Sequence, residues 1–184
     1  MCIRDRIPTL TTQRLSLGEL FAADIPTIVQ YAGNPNVAEH LLNLPHPYYE
    51  KDAIFWINMA QQGWADGTKC IFGIRQKDTK AFMGGVGLHI DARFNRAELG
   101  YWIAEPFWGK GYMSEAVGTV IQYGFEEVEL NKIYAIHLLD NPASGKVMQK
   151  NGMVKEGEMK EHVKTRKGYQ DIAQYGLTRG LYDA

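Results

Sequence analysis

The sequence predicts a single domain of the α+β class, with mixed α/β character, over residues 7–184. Strand-length and helix-length apolar patterns succeed one another in the order βα, αββ, βαβα and ββ. Around residues 112–125, a strand, a helix and a second strand follow with short connections, which favours one parallel pair of strands. A chain of 184 residues with 45% hydrophobic composition suffices for one buried core. Residues 1–6 fit no pattern and are interpreted as a tail or an artefact.

The chain begins with one strand and two helices. Residues 14–20 alternate apolar with other side chains, as a half-buried strand does. Asp24 has the character of a helix N-cap and Pro26 suits a first helical turn, so a helix is predicted to about Tyr31. Prolines and asparagines interrupt the pattern after it, and a second helix is predicted over residues 50–65.

Three strands then form the centre of the predicted sheet. Residues 69–75 and 81–90 flank a polar turn at residues 77–80, which is typical of a hairpin. Residues 97–104 form the third strand. That strand ends before Pro106, because proline cannot donate to a ladder of backbone hydrogen bonds.

The second half of the chain alternates helix and strand. Residues 112–125 place apolar side chains at a period of 3.6, which indicates a helix and not a strand. Asn151-Gly152 is predicted to end a second helix, at residues 142–150. The remaining predicted elements are strands at residues 132–139, 154–163 and 169–178.

Composition and charge exclude several classes of function. The chain has 20 basic residues (Lys and Arg) and 21 acidic ones, so no global field attracts nucleic acid or an anionic membrane. No apolar run reaches the length of a membrane span. Cys2 and Cys70 form neither a disulfide framework nor a metal cluster, which favours a cytoplasmic protein without bound metal. If the protein assembles, a homodimer is the default.

Gly109 and Gly111 stand at the entrance of the predicted helix at residues 112–125. Free N–H groups at a helix N-terminus, together with the helix dipole, bind phosphate oxygens, and glycine permits their close approach. A Walker loop is excluded, because Tyr112 follows Gly111 where that motif needs lysine. A dinucleotide site is disfavoured by the long connection between the strand and the first glycine. The remaining alternatives are another phosphate site and a simple turn of the chain.

Four segments resemble, in the same order, one family of enzymes. The longest covers residues 98–116 and contains Trp108-Gly109-Lys110-Gly111-Tyr112-Met113-Ser114. Together the segments are similar to the GNAT superfamily of N-acetyltransferases, and most of all to the branch that contains the RimJ and RimL ribosomal-protein N-terminal acetyltransferases. The other three segments are Thr12-Gln13-Arg14-Leu15-Ser16-Leu17, Asn141-Pro142-Ala143-Ser144 with residues 150–157, and Gly168-Tyr169-Gln170-Asp171.

The resemblance implies a twisted, mostly antiparallel sheet whose central parallel pair splays apart, with helices on its flanks. It implies acetyl-CoA as co-substrate, with the pantetheine arm in the splay and the pyrophosphate on the glycine turn. One departure is Pro106, where the family often has arginine or glutamine. The positions matched to cofactor binding are Tyr101, Trp102 and Ile103 for the arm, Trp108, Gly109, Lys110, Gly111, Tyr112, Met113 and Ser114 for the pyrophosphate, and Asn141.

Transfer of acetyl from a thioester to a primary amine requires a polarised carbonyl, a stabilised thiolate and a neutral amine. The resemblance assigns polarisation of the thioester carbonyl to a backbone N–H group, that of Ile103. Many members use a tyrosine at the thiolate, but Met148 occupies that position, and Ser144 matches a serine of the RimL-like branch. The alternative for Ser144 is a helix cap. Glu98 either accepts the amine proton or attracts the amine, unless it forms a surface ion pair with a neighbouring arginine.

The expected acceptor is the α-amine of a protein or peptide N-terminus. Its unperturbed pKa of about 8 leaves a fraction neutral at pH 7, whereas a lysine amine needs roughly 4 to 5 kcal/mol more help. His46 and Tyr48, in a proline-flanked loop, are the candidates for substrate contact. A small-molecule amine or antibiotic as acceptor, and a non-catalytic acyl-CoA sensor, remain alternatives. His89 and His137 are interpreted as structural.

Overall fold

The structure is a computed structural model that describes residues 7–42 and 44–184, so the predicted tail at residues 1–6 lies outside the described residues. The described chain forms one eight-stranded sheet. Its strands are β1 (Leu10–Thr11), β2 (Leu15–Gly18), β3 (Lys69–Gln76), β4 (Phe82–Asp91), β5 (Arg96–Ile103), β6 (Lys132–Leu138), β7 (Val154–Thr165) and β8 (Gly168–Thr178).

The strands lie in the order β1-β2-β3-β4-β5-β6-β8-β7. All neighbours are antiparallel except β5 and β6, which are parallel. The helix between those two strands makes the crossover that parallel strands require. The fold class and the parallel pair predicted from the sequence are therefore confirmed.

Helices cover both faces of the sheet. Ile28 and Ile57 come from helices that pack on one side, whereas Val117 and Met148 come from helices that pack on the other. We call these sides the α3 face and the α4 face, after the longest helix on each, α3 (Glu50–Ala65) and α4 (Tyr112–Glu126). The helices are α1 (Ile25–Ala32), α2 (Pro35–Ala38), α3 (Glu50–Ala65), α4 (Tyr112–Glu126), α5 (Pro142–Lys150) and α6 (Arg179–Tyr182).

The apolar period of α4 determines how this helix lies on the sheet. Ala116, Val117 and Val120 recur at helical spacing and are fully buried. Gly124 lets the helix approach closely, because a Cβ there would lie 2.8 Å from Ile133 Cδ1. The N-terminus of α4 is consequently fixed next to the end of β5, where the predicted phosphate turn lies.

β5 and β6 separate soon after they begin to pair. Their parallel register extends only from Arg96 opposite Lys132 to Glu98 opposite Tyr134. β4 nevertheless pairs with β5 as far as Ile103. A gap, which we call the splay, therefore opens between β5 and β6 beyond Glu98, as the resemblance implied.

The first elements differ in detail from the prediction. Asp24 occupies the N-cap position of α1, but its carboxylate accepts from the backbone N–H of Phe21 and from Arg75 instead of capping the helix. The predicted break at Asn34-Pro35 contains the short helix α2, which Asn34 caps by accepting from the N–H of Asn36. Within the described residues, no helix has the length and apolar character needed to cross a membrane.

Candidate functional site

The glycine turn before α4 has the backbone conformation of an anion cradle. Gly109 and Gly111 adopt φ values of 72° and 79°, in the left-handed region that disfavours other residues. A Cβ at Gly109 would meet no described atom within 4 Å, so glycine is needed there for conformation and not for space. Gly111 is the N-cap of α4, and the first N–H groups of that helix lack intrahelical acceptors. The turn therefore fits a phosphate group.

Arg14 holds this turn from outside, which the sequence analysis did not foresee. Its Nη1 donates to the carbonyl oxygen of Lys110 at 3.0 Å, and its guanidinium lies 4.4 Å from the centre of the Tyr112 ring. Its Nε lies 2.7 Å from Glu115 Oε2. Arg14 lies in a segment matched to the family, but no local pattern connects it with a turn almost 100 positions later.

Glu115 is the partner that orients Arg14. The backbone N–H of Arg14 donates to Glu115 Oε1 at 2.9 Å, and the Thr12 hydroxyl donates to the same oxygen. Burial raises the pKa of the Glu115 carboxyl, but the hydrogen bonds from Thr12 and Arg14 together lower it more. The net pKa lies below its ordinary value, so this carboxylate is ionised at neutral pH.

The backbone of β5 gives the splay its polar edge. The N–H of Ala104 donates to the carbonyl oxygen of Met83 on β4 at 2.8 Å. Because alternate residues of a strand direct their N–H and C=O groups to opposite edges, those of Ile103 and Tyr101 face the splay. The indole N–H of Trp108 donates to the Ile103 carbonyl oxygen at 2.8 Å. An extended chain in the splay could therefore pair with β5 as an added strand does.

Trp102 is oriented differently from its two neighbours. Its backbone polar groups face β4, by the same alternation, and its ring lies on the α3 face. There it makes an edge contact with Trp56, with ring centres 5.8 Å apart, and a tilted contact with Phe82 at 6.1 Å. This placement does not favour the cofactor contact predicted for Trp102.

Tyr101 and Ser144 meet across the splay on the α4 face. The Tyr101 hydroxyl oxygen lies 2.9 Å from Ser144 Oγ and 3.0 Å from the Ser144 carbonyl oxygen. Asn141 caps α5, because its side-chain oxygen accepts from the Ser144 N–H at 3.4 Å. The hydroxyl of Ser144 is therefore engaged with Tyr101, and the cap predicted as its alternative role belongs to Asn141.

Met148 occupies the position where the resemblance led us to look for a tyrosine. It is only 1% exposed and packs in the apolar cluster of the α4 face. A thioether donates no proton, whereas the nearby hydroxyls of Tyr101 and Ser144 are hydrogen-bond donors. Sequence reasoning missed the contribution of the Tyr101 side chain.

A polar cavity of about 310 Å³ lies at the closed end of the splay. Glu98 lines it and accepts a long hydrogen bond of 3.4 Å from the hydroxyl of Tyr134. Arg96 pairs with Asp91 at 3.3 Å. Among the described residues, Glu98 forms no ion pair with an arginine, which was its alternative role. The described lining residues are Arg96, Glu98, Lys132, Tyr134, Ile136, His162 and Gln174.

His89 is the direct cross-strand partner of Glu98. Burial and the charge of Lys69 lower the pKa of His89, and the charge of Glu98 raises it by less. The imidazole is therefore neutral at pH 7. Because opposite residues of antiparallel strands share a face, His89 lies on the same side of the sheet as Glu98.

His46 and Tyr48, the candidates for substrate contact, do not line the polar cavity. Tyr48 is 8% exposed in the apolar cluster beneath α1 and α3, and burial raises its pKa to about 12. The Nδ1 atom of His46 is buried without a hydrogen-bond partner among the described residues. Neither side chain belongs to the described lining of the polar cavity. His162 and Gln174 line it instead, and no motif in the sequence pointed to them.

Comparison with known proteins is consistent with this geometry. Residues 14–154 match the sequence model of the acetyltransferase (GNAT) domain. The chain is 32% identical over 178 residues to the uncharacterized N-acetyltransferase p20 of Bacillus licheniformis, covering 95% of this chain and 98% of that protein. It is 25% identical over 185 residues to the ribosomal protein uS5-alanine N-acetyltransferase of Escherichia coli, covering 95% and 94%.

A solved structure shows the same fold. The spermidine N-acetyltransferase of Vibrio cholerae, in complex with CoA and spermine, superposes with a TM-score of 0.80 at 24% identity. The match covers 94% of this chain and 100% of that one.

Proposed function

The chain belongs to the GNAT family of acetyltransferases and is an acetyl-CoA-dependent N-acetyltransferase, and we propose that it acetylates the α-amine of a protein or peptide N-terminus. The arrangement of the splay carries this proposal. The glycine turn borders its open end, and the polar cavity at Glu98 borders its closed end. Phosphates at the first end and an amine at the second would bring the acetyl group between them.

The binding residues proposed for acetyl-CoA follow the polar backbone of this region. The backbone N–H groups of the glycine turn and of the first turn of α4 accept the pyrophosphate. The backbone N–H and C=O groups of Tyr101 and Ile103, which face the splay, form hydrogen bonds with the amide groups of the pantetheine arm. Asn141 orders the first turn of α5 beside it. The pyrophosphate residues are Trp108, Gly109, Lys110, Gly111, Tyr112, Met113 and Ser114.

Three groups of the chain serve the chemistry in this proposal. The N–H of Ile103 donates to the carbonyl oxygen of the acetyl group and stabilises the negative charge that develops there. The Ser144 hydroxyl donates a hydrogen bond to the departing sulfur. Glu98 accepts a proton from the amine, directly or through water, so that the nitrogen lone pair can attack.

The charges around the cavity support a peptide N-terminus over a polyamine. Glu98 is the one carboxylate of the described lining and attracts one ammonium group, but this lining offers no second carboxylate for a polyamine. Its cations Arg96 and Lys132 form ion pairs with Asp91 and Glu156. Peptide carbonyl groups instead accept hydrogen bonds from such cations. The related E. coli enzyme is named for an alanine of a ribosomal protein, which agrees with this acceptor class.

The test combines binding with turnover. We expect acetyl-CoA to raise the melting temperature, and peptides with a free N-terminus to release CoA thiol faster than spermidine or free lysine does. Mass spectrometry of the products should locate the added acetyl group on the α-nitrogen. Faster turnover of spermidine would overturn the proposed acceptor, and binding without turnover of any amine would point to an acyl-CoA sensor.

A further inference from the structure

The contact between Tyr101 and Ser144 joins β5 to α5 across the splay. Tyr101 lies on β5, and Ser144 lies in the first turn of α5, which follows β6. Two short distances involve the same phenolic oxygen, 2.9 Å to Ser144 Oγ and 3.0 Å to the Ser144 carbonyl oxygen. The tyrosine is thus aimed at one residue only.

A phenol has a single proton, so these two contacts allow two arrangements. In the first, Tyr101 donates to the Ser144 carbonyl oxygen and accepts the serine proton, which is then unavailable to any other acceptor. In the second, Tyr101 donates to Ser144 Oγ, and the serine proton is available for another acceptor. The second arrangement alone makes Ser144 a donor to a group in the splay.

We propose that Tyr101 is a positioning residue that holds Ser144 in the second arrangement, so that the serine proton is directed at the sulfur of coenzyme A as the acetyl group leaves. This inference rests on the proposed function. In the transfer, the amine nitrogen forms a bond to the carbonyl carbon, the carbon–sulfur bond breaks, and sulfur keeps the electron pair. The proton lost by the amine goes to Glu98 or to water, while both hydroxyls keep their own protons and donate hydrogen bonds.

The environment of Tyr101 suits a permanent donor. Burial raises the pKa of its hydroxyl, and the hydrogen bond with Ser144 lowers it by less. A phenol with a raised pKa stays protonated and does not exchange its role with the sulfur. The N-terminus of α5 adds a positive partial charge beside Ser144, which also favours a thiolate.

The test measures binding without turnover. Coenzyme A and its desulfo analogue differ in the sulfur alone, so the ratio of their dissociation constants reports how strongly the site holds that atom. For the unaltered chain we expect coenzyme A to bind more tightly, and increasingly so from pH 7 to pH 9 as its thiol ionises. In Tyr101→Phe and in Ser144→Ala we expect this preference to fall about five- to tenfold, with the affinity for desulfo-coenzyme A retained.

Turnover and a double variant give a second readout. We expect kcat to fall about five- to tenfold in either variant with an unchanged KM for acetyl-CoA, and the double variant to lose no more than Ser144→Ala alone. Ser144→Thr keeps a hydroxyl and should retain most of the preference for sulfur. Tyr169→Phe, which removes a phenol from an exposed tyrosine of β8, is the matched control.

The outcomes separate this inference from the proposed function. If the unaltered chain neither binds coenzyme A nor acetylates an amine, the proposed function fails. If it does both, but Tyr101→Phe leaves the sulfur preference and kcat unchanged, Tyr101 has no positioning role. An equal loss of affinity for both ligands in Tyr101→Phe would also overturn the inference, since a general distortion of the splay does not depend on sulfur. Should Tyr101→Phe fail to fold, Ser144→Ala against Ser144→Thr tests the hydroxyl that Tyr101 is proposed to position. A sulfur preference that survives in Ser144→Ala would overturn the inference.

Discussion

Arg14 Nε lies 2.7 Å from Glu115 Oε2, in an ion pair that joins residues 101 positions apart. Arg14 directly precedes β2, and Glu115 lies in the first turn of α4. The same guanidinium donates to the carbonyl oxygen of Lys110. The first strands of the sheet are thereby fastened to the turn that we propose as the pyrophosphate site.

We expect Arg14→Gln to weaken acetyl-CoA binding about tenfold, or roughly 1.4 kcal/mol, because the glycine turn loses its support and a nearby positive charge. S-acetylpantetheine has no pyrophosphate, so its affinity should change less than about twofold. Isothermal titration with both ligands measures the difference.

The control for this prediction is Arg93→Gln. Arg93 lies over the exposed ring of Phe94 in the connection between β4 and β5, and its removal should leave both affinities unchanged. Equal weakening for the two ligands in Arg14→Gln would contradict a role at the phosphate end of the site.

Gly109→Asp and Gly109→Asn form a matched pair. Aspartate and asparagine tolerate a positive φ better than most residues. A Cβ at position 109 would meet no described atom within 4 Å. The two variants should therefore fold alike and differ in charge alone. We expect Asp to abolish the thermal shift caused by acetyl-CoA and Asn to retain a large part of it. Similar shifts in the two variants would argue against an anion at this turn.

Glu98→Gln should lower kcat/KM for a peptide acceptor by about 10²-fold, because the amine loses its proton acceptor and the cavity loses its negative charge. Acetyl-CoA affinity, measured without acceptor, should remain the same. Glu126→Gln is the control, since Glu126 is an exposed carboxylate at the end of α4 that accepts a hydrogen bond from the Tyr182 hydroxyl. Unchanged kcat/KM in Glu98→Gln would remove Glu98 from the proposed mechanism.

Met148→Ala should destabilise the protein by about 2–5 kcal/mol, because the side chain is fully enclosed in the core of the α4 face. Met148→Leu conserves volume and should cost less than about 1.5 kcal/mol. Lys146→Ala, on the exposed side of the same helix, should change the free energy of unfolding by less than about 0.5 kcal/mol. Urea unfolding measures all three. A loss below about 1 kcal/mol in Met148→Ala would place this side chain outside the core.

Local patterns in the sequence predicted most elements. The period of 3.6 over residues 112–125 matches α4, and the helix predicted at residues 142–150 coincides with α5. The strand predicted at residues 97–104 matches β5 within one residue at each end. The segment at residues 112–125 has a clear apolar period, and a proline or glycine lies at or near one limit of each of the three segments. At α2 these signals conflict, because a proline that breaks one helix also suits the first turn of the next.

The candidate site was predictable only in part. The glycine turn and the helix start at Asn141 are recognisable because their conformation depends on a few consecutive residues. His46 and Tyr48 were selected for their loop, but Tyr48 is held in the core by α1 and α3. Trp102 was selected for its strand, yet the register with β4 turns its backbone away from the splay.

The sequence by itself determined the class of fold, the single parallel pair and the position of a glycine turn at the start of a helix. These depend on periodicity and on glycine, which act within one element. Only the tertiary structure decided that Arg14 supports that turn, that Tyr101 reaches Ser144, and that His162 faces the cavity at Glu98. Such contacts join residues far apart in the chain, and they form only after strand order and register have brought the elements together.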